Sequence, residues 1–323
     1  MKYTQLTLSK RYHISTLNKQ GYSQKYIAQE VEVHPSTISR ELRRNNDKVR
    51  GYNAELAQIK STKVERQKQK RFSLTKPIEK YIRAKLKQDW SPEQISGRMK
   101  LDTGVSVVHE TIYRYIYTNK SNGGKLYKYL RHKNKKYHCR SNDYRSRGTI
   151  IDRVMIDKRP KIVEKKNRIG DLEIDTVVGK NHRGFLVTVV DRKSKFVLIK
   201  NVPTKEAQVV TDALIEMIQP IKGITETITS DNGKEFAYHK QVSAALNTNF
   251  YFANPYHSWE RGLNEHTNGL IRQYLPKKSE FLHVSKEEII TIQNRLNHRP
   301  RKVLNYKTPY EVFFNEMSRK LAS

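Results

Sequence analysis

The pattern of apolar residues changes at about residue 170, and this change constrains the fold more than any other feature. Before it, apolar residues recur at helical spacing. After it, three runs rich in Val, Ile, Leu and Thr follow at 171–178, 185–191 and 195–202, separated by short polar turns. A helical pattern at 205–219 and further strand patterns come next. This order predicts helical units followed by an α/β domain with a mixed sheet.

Acidic residues occur in three contexts of this second region. The first strand run carries Asp171, Glu173 and Asp175 on one face, because side chains alternate along a strand. Asp231 follows a strand pattern, and Glu265 lies in a helical one. Carboxylates brought together from two strands and a helix can hold two divalent cations, which promote in-line displacement at a phosphodiester. The sequence therefore predicts a site that cuts and joins DNA.

Each acidic context also has a plainer interpretation. The acids of the first strand could equally form a solvent-exposed face or salt bridges. The pattern alone does not show which of the three acids, Asp171, Glu173 or Asp175, would bind a metal. Asp231 begins Asp-Asn-Gly, which is an ordinary turn signature. One helical face carries Arg261, Glu265, Asn268 and Arg272. That face suits metal binding beside a phosphate backbone, but it also suits a salt-bridged surface helix.

Net charge differs between the two halves of the chain. The whole chain carries +31. Residues 1–170 contain 41 Lys and Arg against 15 Asp and Glu, or +26, and residues 171–323 contain 22 against 17, or +5. A polyanion is the expected partner of such a chain. The skew favours a basic DNA-binding half followed by a nearly neutral catalytic half.

Residues 1–50 are predicted to form a helix-turn-helix unit. Ser23 can cap one short helix, and Pro35 suits the first turn of the next, in which Ile38 and Leu42 face inward. The outward side chains that we expect to contact DNA are Ser36, Thr37, Arg40, Arg43 and Arg44. Such a helix would enter the major groove, where Arg and hydroxyl groups meet phosphates and base edges. An ordinary pair of packed helices is the alternative.

A second helix-turn-helix unit is predicted at 76–120, after a polar, helical or flexible linker at 51–75. Ser91-Pro92-Glu93-Gln94 is a capping box with Pro at the first helical position. The following helix, from about 108 to 117, presents the expected DNA contacts His109, Thr111, Tyr113 and Arg114. A structural helical hairpin is the alternative. Residues 121–168 read as a basic linker, either solvated or ordered against DNA phosphates.

The chain also carries information about its compartment. Its one cysteine, Cys139, excludes an intramolecular disulfide and fits a reducing environment. No apolar run is long enough to span a bilayer, and no apolar leader opens the sequence. We therefore expect a cytoplasmic protein with no membrane partner.

Several motifs resemble those of DDE transposases of bacterial insertion sequences, most closely the insertion-sequence thirty family. They lie at 36–45, 170–177, 186–196, 230–236, 254–274, 296–304 and 307–312. The resemblance extends over nearly the whole chain, and the segment around Glu265 is highly specific. It implies a multidomain α and α/β protein, in which the N-terminal helix-turn-helix units precede a ribonuclease-H-like catalytic core at 169–323.

The resemblance also implies a site and a reaction. It favours Asp175 over Asp171 and Glu173, which would then be neighbouring or surface groups. It implies two Mg²⁺ (or Mn²⁺) ions per active site, held by Asp175, Asp231 and Glu265. Family members bind the terminal inverted repeats of their element as multimers, free 3′ hydroxyls and join them to target DNA. A bacterial, nucleoid-associated homo-oligomer on double-stranded DNA is the expectation.

The sequence analysis thus predicts a transposase with two helix-turn-helix units and one catalytic core. Arg261 and Arg272 are the candidate contacts between this core and the DNA backbone. A rival hypothesis is a DNA-binding regulator whose core is catalytically silent, and the three intact acids argue against it. A retroelement integrase would carry an N-terminal zinc module, for which this chain lacks the spacing.

Overall fold

The computed structural model divides the chain into two compact units, Met1–Thr75 and Lys76–Ser323. It describes residues 5–47, 51–67, 74–131, 150–255, 257, 260 and 262–322. Arg261 and residues 132–149, which are part of the predicted basic linker, lie outside the described residues. No helix in the described ranges is long and apolar enough to cross a membrane.

Within the described residues of the first unit there are four helices. They are α1 (Leu8–Lys19), α2 (Gln24–Glu30), α3 (Pro35–Asn45) and α4 (Ala54–Gln67), with a short antiparallel pair, β1 (Asn46–Asp47) and β2 (Gly51–Tyr52), between α3 and α4. The Ser23 hydroxyl accepts the backbone N–H of Tyr26 and so caps α2. The apolar sides of the helices meet in a core of Ile14, Ile27, Ala28, Val31, Ile38, Leu42, Tyr52 and Ala57. The interval 51–75 therefore contributes β2 and α4 to this unit.

The second unit begins with three helices, α5 (Lys76–Lys87), α6 (Pro92–Thr103) and α7 (His109–Ser121). The predicted capping box is present at the start of α6, where Ser91 and Gln94 each bond the other's backbone N–H. Helix α6 ends at Gly104, whose φ of 71° is the left-handed conformation common after a helix. The side chains buried between the three helices are Ile82, Leu86, Ile95, Met99, Ile112 and Ile116.

A five-stranded mixed sheet follows, as the sequence predicts, with the order β5-β4-β3-β6-β7. Its strands are β3 (Asp171–Val178), β4 (Phe185–Asp191), β5 (Val197–Val202), β6 (Thr227–Ser230) and β7 (Asn249–Phe252). Strand β4 runs antiparallel to its two neighbours, β3 and β5, and β6 and β7 run parallel to β3. Strand β5 begins two residues later than predicted, because Lys195 adopts a φ of 63° in the turn before it.

Helices cover both faces of this sheet. One face packs against α8 (Ala207–Ile218) and α9 (His239–Leu246), and the other packs against α10 (Gly262–Ile271) and α11 (Lys286–Asn297). Alternation along β3 divides its side chains between them, so that Ile174 joins the core with α8 and Val177 joins the core with α10. The last helix is α12 (Pro309–Ala322).

Helices α5 to α7 are attached to the C-terminal part of the second unit. The terminal nitrogens of Arg98 in α6 donate to the two carboxylate oxygens of Glu311 at 2.6 Å each. A Cβ atom at Gly97 would lie 2.4 Å from the ring of Tyr306, so only glycine allows this close approach. The hydrogen bond from Arg98 lowers the pKa of Glu311 to about 2. The helical segment and the sheet thus belong to one folded unit.

Candidate active site

Asp175 lies near the end of the central strand, on the sheet face that α10 covers. Its Oδ2 accepts a hydrogen bond from Nδ2 of Asn268 at 2.8 Å, and its Oδ1 accepts one from the backbone N–H of Thr176 at 2.9 Å. The side chain is half-buried, unlike those of Asp171 and Glu173, which are fully buried. Among the three acids of this strand, Asp175 is therefore the one that solvent and a substrate can reach.

Strand pairing brings Asp231 to the same level of the sheet. In the parallel pair β3–β6, Glu173 is aligned with Thr229. Asp175 and Asp231 each lie two residues beyond this pair, which is the last aligned pair of the two strands. The Asp231 Oδ1 accepts the backbone N–H of Gly233 at 2.9 Å, which orients its side chain in the turn that follows β6.

Helix α10 carries Glu265 and is bonded to β3 at three successive levels. Nδ2 of Asn264 donates to the Ile174 carbonyl at 3.0 Å, Asn268 donates to Asp175, and Nη2 of Arg272 donates to the Val178 carbonyl at 2.6 Å. These three residues are four apart, so they follow one side of the helix along the strand. Glu265 is adjacent to that side, in the first turn of α10, and is exposed.

Asn264 is a position that the sequence interpretation did not single out, whereas Asn268 was expected on the helical face of Glu265. Asn264 is 1% exposed, and its bond to a β3 carbonyl is what an amide at the centre of a helix–sheet interface must form to avoid a buried unsatisfied donor. The pattern Asn264-Glu265-x-x-Asn268 contained a signal: two asparagines four residues apart on the inner side of a helix are unusual in an apolar interface. Arg272 is also more deeply engaged than predicted, because its guanidinium lies 5.1 Å from the centre of the Phe281 ring.

Asp171 and Glu173 occupy the buried part of β3, so the expectation that they could be surface groups is wrong. Asp171 pairs with Nε of Arg168 at 2.9 Å and accepts a bond from the Thr227 hydroxyl at 2.8 Å. Glu173 lies 3.5 Å from Nη1 of Arg192, and burial raises the pKa of its carboxyl group. Both acids lie toward the start of the central strand, where flanking residues cover them.

Glu260 organises the segment before α10. Its carboxylate accepts the backbone N–H of Asn254 at 2.8 Å and lies 3.1 Å from Nδ1 of His257. Through these bonds, Glu260 holds together the connection between β7 and α10. Glu265, five residues further on, points elsewhere around the helix.

The donor set at this edge of the sheet fits a hard divalent cation, since Mg²⁺ prefers carboxylate oxygens. Asp175 and Asp231 lie equally far beyond the last aligned pair of β3 and β6, and Glu265 lies one helical turn before Asn268, which bonds Asp175. Within the described ranges, no three His, Cys, Asp or Glu side chains are already close enough to share an ion. The carboxylate that α10 carries is the exposed side chain of Glu265.

The predicted DNA-contact residues of the first unit lie on the open side of α3. Arg40, Arg43 and Arg44 are exposed, and Ser36 and Thr37 are half-buried. Nη2 of Arg40 donates to the Ser36 hydroxyl at 3.1 Å, which orders this guanidinium on the helix surface.

The corresponding helix of the second unit, α7, has a different surface. His109 and Arg114 are exposed, and Thr111 and Tyr113 are half-buried. The rings of His109, Tyr113 and Tyr117 follow one another along α7, with centroids 6.4 and 6.3 Å apart. This helix therefore presents an aromatic row, whereas α3 presents arginines.

Two family models match the chain. Residues 2–45 match a helix-turn-helix domain, and residues 166–258 match an integrase core domain. The second match includes Asp175 and Asp231 and ends before Glu265.

Full-length relatives are also similar to the chain. It is 48% identical over 309 residues to the transposase for insertion sequence element IS4351 of Bacteroides fragilis, covering 95% of each chain. It is 34% identical over 330 residues to the transposase for IS1086 of Cupriavidus metallidurans, covering 96% of this chain and 94% of that one. It is 33% identical over 324 residues to transposase InsI for IS30A of Escherichia coli, covering 95% and 82%.

Proposed function

Because this chain belongs to the IS30 family of DDE insertion-sequence transposases, we propose that Asp175, Asp231 and Glu265 are its three catalytic, metal-binding carboxylates. The protein is a polynucleotidyl transferase with a helix-turn-helix DNA-binding domain and a divalent-metal-dependent integrase core. The observation that best supports the assignment is the β3–β6 register, in which Asp175 and Asp231 lie equally far beyond the last aligned pair, Glu173 and Thr229.

The proposed cofactor is a pair of Mg²⁺ (or Mn²⁺) ions. Held by the three carboxylates, such ions would activate the attacking oxygen and stabilise the leaving oxygen in a displacement at a phosphodiester. The protein's own contribution is to hold the carboxylates on rigid elements. Asn268 fixes the orientation of Asp175, the Gly233 N–H fixes that of Asp231, and the bonds of α10 to β3 set the position of Glu265.

The proposed substrates are the terminal inverted repeats of the element and a target DNA. In the core, Arg261 and Arg272 flank Glu265 and are proposed to contact the DNA backbone. In the helical units the proposed contacts are Ser36, Thr37, Arg40, Arg43, Arg44, His109, Thr111, Tyr113 and Arg114. Their support is the exposed arginine side of α3, the exposed positions of α7 and the +26 charge of residues 1–170. A homo-oligomer assembled on DNA in the bacterial cytoplasm, associated with the nucleoid, completes the proposal.

Cleavage of a labelled duplex that carries the element's terminal repeat tests the site. Asp175→Asn, Asp231→Asn and Glu265→Gln should each abolish Mg²⁺-dependent 3′-end cleavage and strand joining while leaving binding of the repeat intact. Glu260→Gln is the matched control on the neighbouring segment, and it should keep substantial activity because an amide oxygen can still accept the Asn254 N–H. An active Glu265→Gln beside an inactive Glu260→Gln would show that the wrong glutamate has been assigned.

A further inference from the structure

Glu235 is a buried carboxylate next to the proposed site, and no proposed step uses it. It follows Asp231 by four residues, lies in the short 3-10 turn Lys234–Phe236 and is 5% exposed. Its Oε1 accepts a hydrogen bond from the Thr176 hydroxyl at 2.9 Å and pairs with Nζ of Lys205 at 2.6 Å. One carboxylate oxygen thus joins three segments: the end of β3, the turn after β6 and the residues before α8.

The position of this carboxylate explains the glycine in Asp231-Asn232-Gly233. Gly233 has a φ of −69°, which any residue adopts, so the turn itself does not require glycine. A Cβ atom at residue 233, however, would lie 2.3 Å from Oε2 of Glu235. A larger residue at 233 would displace the Glu235 carboxylate, which folds back over the turn that carries Asp231.

Thr176 and Asp175 are successive residues of β3, so their side chains point to opposite faces of the sheet. Asp175 meets α10 on one face, whereas Thr176 meets Glu235 on the face that α8 covers. Phe236, next to Glu235, is 2% exposed in the core of this second face. Strand β3 therefore lies between Glu235 and the place where Asp175 meets α10. Glu235 cannot bind a metal ion on the α10 face of the sheet.

We propose that Glu235 is a positioning residue that sets the separation of Asp175 and Asp231. Its bond to Thr176 ties the Asp231 turn to the strand position next to Asp175, and Lys205 compensates its buried charge. This inference rests on the proposed function, because it assumes that Asp175 and Asp231 bind the same metal ions. Paired in this way, Glu235 keeps Asp175 and Asp231 at a fixed spacing before a metal ion binds.

Binding of Mn²⁺ to the full-length protein, followed by electron paramagnetic resonance of the free ion, tests the proposal without relying on activity. Thr176→Val removes the hydroxyl and keeps the side-chain shape. It should raise the Mn²⁺ dissociation constant about tenfold, as expected for the loss of one hydrogen bond to a charged group. Thr176→Ser should restore wild-type binding. Thr225→Val, which removes a hydroxyl bonded to the Ile221 carbonyl at 3.0 Å, is the matched control and should leave Mn²⁺ binding unchanged.

The ion pair provides a second, independent test. Lys205→Met leaves a buried carboxylate without its cation, so it should weaken Mn²⁺ binding more than Glu235→Gln does. The double variant Lys205→Met/Glu235→Gln should bind Mn²⁺ as Glu235→Gln does, because charge and partner are removed together. Glu216→Gln, which breaks the exposed pair with Lys200, is the control for loss of a Lys–Glu pair.

The outcomes separate this inference from the proposed function. If Asp175→Asn cleaves DNA normally, the assignment of the site is wrong, and the role of Glu235 falls with it. If Asp175→Asn is inactive but Thr176→Val only lowers the melting temperature and leaves the Mn²⁺ dissociation constant unchanged, Glu235 stabilises the fold without positioning the ligands. Weaker Mn²⁺ binding by Thr176→Val, with recovery in Thr176→Ser, supports the positioning role.

Discussion

The two helices predicted to read DNA, α3 and α7, arise from similar sequence patterns but are placed in different surroundings. Helix α3 belongs to a compact unit of its own, Met1–Thr75, and exposes Arg40, Arg43 and Arg44. Helix α7 exposes a row of aromatic rings and belongs to the unit that contains the catalytic sheet. Similar local motifs can thus be either a self-contained binding module or a built-in part of an enzyme, and contacts far along the chain decide which.

The largest expected effect concerns the attachment of α5 to α7. Arg98→Leu removes the bonds to both oxygens of Glu311 and the bond from Nε to Asp102 at 2.7 Å. It should destabilise the second unit by about 2 kcal/mol, less than for a fully buried pair because Glu311 is partly exposed. Chemical denaturation of the full chain measures this, with Arg43→Ala on α3 as the control. If both variants lose little and equal free energy of unfolding, the attachment through Arg98 does not distinguish α5 to α7 from α3.

Specific DNA recognition should depend on α3. Arg40 is held by Ser36 on an exposed helix surface, where it can reach base edges, and a good bidentate contact discriminates by roughly 1–3 kcal/mol. Arg40→Ala should therefore reduce the preference for the terminal repeat over random DNA by about tenfold or more. Competition binding assays measure this preference. Lys80→Ala, at an exposed position of α5, should weaken binding to both DNAs equally, and loss of preference in that variant would contradict the assignment.

A smaller effect should show whether α7 also reads DNA. Arg114 is the exposed arginine of this helix, beside the aromatic row. If α7 enters a groove, Arg114→Ala should lower the affinity of the full chain for the terminal repeat about fivefold, in line with roughly 1 kcal/mol for one contact. Denaturation of the same variant should match wild type, because an exposed side chain contributes little to stability. Unchanged affinity would make α5 to α7 a structural hairpin.

The smallest effect is a pH dependence confined to the second unit. Hydrogen bonding to Arg98 lowers the pKa of Glu311 from its usual value of 4.5 to about 2. The depressed value means that the pairing stabilises the fold above the unfolded pKa, and that this stabilisation is lost as the pH falls through about 2. Between pH about 4.5 and about 2, Glu311→Gln should show a shallower loss of stability than wild type. Parallel curves for the two proteins would contradict the pairing.

Features that depend on local periodicity could be predicted from the sequence. Runs rich in Val, Ile, Leu and Thr at 171–178 and 185–191 predicted two strands of the mixed sheet, and the capping box at Ser91 predicted the start of α6. Assigning Glu265 to a helical face next to Asn268 was also possible, because helical spacing fixes which residues are neighbours. The sheet register, however, depends on which strands pair, and periodicity does not specify that.

Contacts between distant segments could not be predicted. The bond between Asn268 and Asp175 joins residues 93 positions apart, and the pair Arg98–Glu311 joins residues 213 apart. The buried state of Asp171 and Glu173 likewise depends on Arg168 and Arg192, which meet β3 only after folding. Acids on an alternating strand look alike in the sequence, and their partners in the folded chain determine which one is accessible.

The three bonds from α10 to β3 have a consequence for how such chains can diverge. The rotation of the helix and its position along β3 are fixed by side chains of the helical segment itself, namely Asn264, Asn268 and Arg272. The number of residues that connect β7 to α10 is therefore not what orients Glu265. Insertions or deletions in that connection should change its path but leave the position of Glu265 on α10 unchanged, whereas a single residue inserted between Asn264 and Asn268 would break the alignment of these two asparagines with β3. The connection before α10 should thus tolerate changes in length, whereas the segment from Asn264 to Asn268, only a few residues later, should not.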